Sequence, residues 1–175
     1  MESTGKGFFS FFGGSKQRGP DAASLIASGR SKVALGDHQG ALADYERAIS
    51  LDAKNFKAYA LRGLSRAALG AYREAIQDYE KALELNPKVA RNFYKERGEA
   101  RAHLEDFEGA IDDFTKALEL RNQPDVTPIS NESLYFSRGT AKLKSGHSTS
   151  GWSDIRKAAE LGLAEALEQM KSCPA

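Results

Sequence analysis

Ala75-Ile76-Gln77-Asp78-Tyr79-Glu80-Lys81-Ala82-Leu83-Glu84-Leu85-Asn86-Pro87 decides the fold, because the same order of residue types recurs on both sides of it. Upstream, Ala41, Asp44, Tyr45, Ala48 and Leu51 repeat the pattern, and downstream Ala110, Asp113, Phe114, Ala117 and Leu120 repeat it again. A degraded copy runs through Gly151, Asp154, Ile155, Ala158 and Leu161. The spacing is 34 residues from Ala41 to Ala75, 35 from Ala75 to Ala110 and 41 from Ala110 to Gly151. A period near 34 is the signature of stacked helical hairpins. A second column, Gly29, Gly63, Gly98 and Gly139, lies about a dozen residues earlier and is preceded a turn before by Leu25, Tyr59, Tyr94 and Tyr135. Each unit is therefore two helices. Small residues on facing stripes let the two backbones approach, and aromatic rings fill the space beside them.

In the second unit Tyr59, Gly63, Ala67, Tyr72, Ala75, Tyr79, Ala82 and Pro87 fall where a tetratricopeptide repeat carries its signature, and the resemblance spans residues 22–162. It implies an all-α, right-handed superhelical solenoid of about four antiparallel helix hairpins, with repeats near 22–55, 56–90, 91–122 and 131–162. An amphipathic segment over 163–172 is expected to cap the last exposed face, making 21–175 one domain. The runs Arg62-Gly63, Arg97-Gly98 and Arg138-Gly139 resemble the generic arrays common in bacteria and photosynthetic lineages. Tyr45, Tyr59, Tyr79, Tyr94 and Phe114 read as core packing. Gly70 makes the turn inside the second hairpin, whereas the third has Glu105 there, a residue less tolerant of positive φ.

A chain of 175 residues that is 41% hydrophobic and 28% charged has the balance of a soluble folded domain. Its formal net charge of +1 supplies no field for nucleic acid. The single cysteine, Cys173, forms no internal disulfide, and no run of apolar residues is long enough to cross a membrane. The expected state is a cytoplasmic monomer without cofactor or metal. His38, His103 and His147 are widely separated and read as surface residues at helix ends. Asp112-Asp113 and Glu105-Asp106 read as charges that solvate a helix, so the expectation is that the protein is not an enzyme.

Residues 1–20 form an aromatic, glycine-rich segment with no helical period, expected as a disordered tail. Phe8, Phe9, Phe11 and Phe12 within it are costly to leave in water, and a membrane surface, a partner or the chain's own apolar surface are all open as their destination. Residues 121–130, with Pro124 and Pro128, account for the longer last spacing and are expected to bulge as a loop.

Two features bear on function. Lys32, Arg66, Arg101 and Lys142 form a basic column set against the acidic column Asp44, Asp78, Asp113 and Asp154. These make either an ion-pair ladder within each hairpin or two independently solvated faces. The resemblance further implies that the first helix of each hairpin lines a concave groove. It assigns to that groove Ile26, Arg30, Lys57, Leu61, Leu64, Asn92, Lys95, Glu96, Glu99 and Phe136. Members that clamp a chaperone's terminal carboxylate need cationic and amide donors, but Ile26, Arg30, Leu61, Asn92 and Glu96 stand at the corresponding places, which argues against a co-chaperone. The expected function is a non-enzymatic adaptor or scaffold binding a peptide or helix of a partner protein. The alternative is a membrane-peripheral assembly factor anchored by its phenylalanines.

Overall fold

The computed structural model describes residues 19–120 and 130–171, and every regular element among them is helical. Four antiparallel hairpins follow one another: α1 (Ala22–Ala34) with α2 (His38–Leu51), α3 (Phe56–Ala68) with α4 (Tyr72–Leu85), α5 (Ala90–His103) with α6 (Phe107–Glu119), and α7 (Asn131–Lys144) with α8 (Ser148–Glu160). A short helix, α9 (Ala164–Met170), packs on α8 and closes the array. The cores explain why the units stack, since each draws on the two helices of one hairpin and the first of the next. Leu25, Ala48 and Ala58 join α1, α2 and α3, and Ala75, Tyr79 and Ala100 do the same for α3, α4 and α5 along with half-buried Ala67. Ala166 on α9 takes the equivalent place beside Ile155 and Ala158.

The glycine column is where the paired helices touch. A methyl group at Gly63 would lie 2.9 Å from a ring carbon of Tyr79, and one at Gly98 would lie 2.9 Å from Phe114. Tyr45, Tyr79 and Phe114 are accordingly buried to within 1% of their surface. At the fourth hairpin Ile155 replaces the ring and its Cδ1 occupies that place against Gly139. Asp21, Asp37 and Asp106 cap α1, α2 and α6, each accepting a backbone N–H three residues ahead at 2.8, 2.7 and 3.0 Å.

Three of the hairpin turns use glycine in the left-handed region, Gly36, Gly70 and Gly146 at φ of 79°, 80° and 89°. The third places Glu105 there at φ 63°, a conformation that favours glycine. Between the second and third units Pro87–Val89 form a 3-10 turn before α5 begins at Ala90. The expected tail with its phenylalanines, Cys173 and residues 121–129 of the expected loop lie outside the described residues.

Candidate functional site

The acidic and basic columns meet. Lys32 reaches Asp44 at 2.7 Å, Arg66 reaches Asp78 at 2.8 Å, Arg101 reaches Asp113 at 2.9 Å and Lys142 reaches Asp154 at 2.8 Å. A second donor, one turn earlier in the same helix, completes each bracket. Arg62, Arg97 and Arg138 hold Asp78, Asp113 and Asp154 through two guanidinium nitrogens each, while in the first hairpin the Ser28 hydroxyl donates to Asp44 at 2.6 Å. The same guanidinium groups lie over Tyr59, Tyr94 and Tyr135, 5.5–5.6 Å from the ring centroids.

Tyr59 and Tyr94, expected in the core, pack half-buried against it and also serve as platforms for arginine. Asp113, read as a solvating charge, is fully buried at 0% exposure, because two arginines replace its water. Hydrogen bonds from Lys32 and Ser28 hold the Asp44 carboxyl below its ordinary pKa. For Asp154, burial pushes upward, but the bonds from Arg138 and Lys142 outweigh it and the carboxyl again titrates low. The brackets also connect units: Glu80 lies 3.6 Å from Arg97 and 3.7 Å from Arg101 of the following hairpin, and Arg138 donates to Thr115 at 3.1 Å. These contacts fix the register of α3, α5 and α7 and so shape the surface that those helices present.

That surface carries a concave cavity of about 670 Å³ across α1, α3 and α5. Eight of the residues expected in a groove line it: Ile26 and Arg30 on α1, Lys57, Leu61 and Leu64 on α3, and Asn92, Lys95 and Glu96 on α5. Phe56, Ala60, Tyr79 and Phe93 complete the lining, and the pattern of the sequence had not singled out Phe56 or Phe93 for this wall. Their edge-to-face contact, with centroids 6.2 Å apart, joins α3 to α5 under it. Leu64 stands 41% exposed at the rim, whereas Leu61 is half-buried, packed lower on the same helix face.

Charge divides the cavity. Arg30 and Lys57 project from α1 and α3 exposed to solvent. On α5, Lys95 bonds Glu99 at 2.7 Å and lies 3.4 Å from Glu96. Burial raises the Glu96 pKa and the neighbouring Glu99 adds to the rise, although Lys95 opposes both. Glu99 and Phe136 are not brought to this cavity. They line a separate one of about 220 Å³ between α5, α6 and α7, because the superhelix carries successive first helices onward round the axis. His103, exposed at the end of α5, stacks on Tyr72 with centroids 4.4 Å apart, and His38 is half-buried at the start of α2.

The geometry can receive an apolar segment, and comparison with known proteins bears on the framework. A tetratricopeptide-repeat model matches residues 56–89, and a second TPR-repeat model matches 29–70. No curated protein sequence matches the chain. Among solved structures, MamA from Desulfovibrio magneticus RS-1 superposes with a TM-score of 0.71 at 22% identity, over 81% of this chain and 75% of that one. MamA of MSR-1 does so with 0.69 at 25%, over 81% and 77%, and MamA of AMB-1 with 0.70 at 24%, over 81% and 79%. Two repeat models overlap in the second hairpin, so residues 29–89 are tetratricopeptide repeats, and the same residue columns run through all four hairpins.

Proposed function

We propose that this protein is a non-enzymatic adaptor, a cytoplasmic monomer whose concave face receives an apolar peptide or helix of a partner protein. The cavity across α1, α3 and α5 is the observation that carries this reading, since its volume lies within the range of about 300–1,000 Å³ typical of built binding sites. Ile26, Leu61, Leu64 and Phe93 offer the apolar contact, and Arg30, Lys57 and Asn92 offer polar groups that orient a bound backbone. An amphipathic segment laid in such a groove gains most of its affinity from a few apolar anchors, here Leu61 and Leu64.

The test is the double substitution Leu61→Glu with Leu64→Glu. Both side chains are at or near the surface, so circular dichroism should show unchanged helicity, while a protein captured by the native chain should no longer be retained. Arg73→Glu, an exposed change on α4 away from the cavity, serves as the control and should leave capture intact. Retention by the double variant would move the contact off this face.

A further inference from the structure

The cavity's apolar floor and the chain that precedes α1 belong together. Residues 1–18 lie outside the described residues, and they contain four phenylalanines within five positions. The chain enters the fold at Asp21, whose carboxylate caps α1, and Ile26, five residues later on that helix, is already a wall of the cavity. At 1.5 Å per residue that wall begins about 8 Å from the entry point. Phe12 lies nine positions before Asp21, so an extended strand reaches about 30 Å, enough to cross α1, α3 and α5 at about 8–10 Å per helix.

Gly13, Gly14 and Gly19 have no Cβ and admit the backbone angles that a reversal toward the cavity requires. The one carboxylate of the lining, Glu96, stands at its α5 end beside Lys95, while Arg30 and Lys57 stand on α1 and α3. A segment running back from Asp21 across α1 and α3 would bring Lys6, beyond the phenylalanines, toward Glu96 at the α5 end. Lys16 and Arg18 would remain on the α1 side, close to the entry point.

We propose that Phe8, Phe9, Phe11 and Phe12 are the resident occupant of this cavity, folding back within the same chain and competing with a partner segment for Leu61, Leu64 and Phe93. The inference rests on the concave face being the binding surface, and it adds that access to that face is regulated from within the chain.

A nitroxide placed at Ser3→Cys, in full-length protein with Cys173→Ser to remove the single native cysteine, reads the contact directly. Its paramagnetic broadening should fall on the methyl groups of Leu61 and Leu64. Replacing Phe8, Phe9, Phe11 and Phe12 by serine keeps the chain length and should abolish that broadening. Equal broadening in the two forms, or none in either, would overturn the proposal, and so would the same broadening in isotope-labelled, nitroxide-free molecules mixed with nitroxide-bearing ones, since a second copy would then be the occupant. None of these outcomes depends on a partner, so the groove reading stands or falls separately by the Leu61→Glu, Leu64→Glu capture experiment.

Discussion

The first and third hairpins solve the same electrostatic problem to different depths. In the first, Asp44 retains 7% exposure and is held by a lysine and a serine hydroxyl, and the Lys32 side chain is 37% exposed. In the third, Asp113 is fully buried between Arg97 and Arg101, and Glu80 of the preceding hairpin stands within 3.7 Å of both arginines. A carboxylate can be withdrawn from water only as far as its donors replace that water. Two guanidinium groups supply more fixed N–H donors than an ammonium and a hydroxyl. The third unit is thus the one most committed to its bracket, and it also carries the strained turn at Glu105.

Removing the carboxylate should separate the two hairpins most widely. Asp113→Ala leaves two arginines facing each other without an anion and is expected to cost about 3–5 kcal/mol, whereas Asp44→Ala leaves a lysine free to turn into solvent and should cost clearly less. Urea titrations of both variants measure the difference; equal losses would mean that burial depth does not set the value of the bracket. Glu105→Gly should act in the opposite sense, relieving a left-handed residue and stabilising the third hairpin by about 1 kcal/mol. A thermal midpoint that stayed the same or fell would show that the turn carries no strain. Smaller again is Ser28→Arg, which gives the first hairpin the guanidinium that the others have and should add about 0.5 kcal/mol at this exposed site.

The pH dependence gives the finest comparison. The Asp44 pKa is depressed in the folded state by the bonds from Lys32 and Ser28. Its contribution is therefore complete above the ordinary carboxylate pKa of about 3.9 and disappears as pH falls through the lower folded value. Thermal midpoints taken from neutral pH down to acid should decline less steeply for Asp44→Asn than for the native chain. Parallel curves would show that Asp44 contributes nothing to acid sensitivity.

Much of this was legible from the repeat columns. Ala75 and its equivalents, the glycines opposite them and the buried rings all follow from one period, because close helix contact tolerates few residue types. The ladder from Lys32 to Asp44 and from Arg66 to Asp78 was one of two open readings. Its second rail, Arg62, Arg97 and Arg138, was visible only as a constant separation of 16 residues from Asp78, Asp113 and Asp154, and it was read as a family mark instead. Arg91 left no such trace. It is 97% buried, donating to the Ala117 carbonyl and to Asn131 across the third and fourth units, in a column that holds Phe56 in the second. The family resemblance also assigned Glu99 and Phe136 to the groove, but they line the cavity between α5, α6 and α7 and not the one across α1, α3 and α5.

The concave face is tested most directly by crosslinking from single sites. A photoreactive phenylalanine analogue at Leu64, at the cavity rim, should join covalently to the partner segment, and one at Arg73, away from the cavity, should not. Mapping the crosslinked peptide would then identify the apolar residues that meet Leu61 and Leu64. Crosslinks that form at Arg73 and are absent at Leu64 would contradict the account and place recognition outside the cavity.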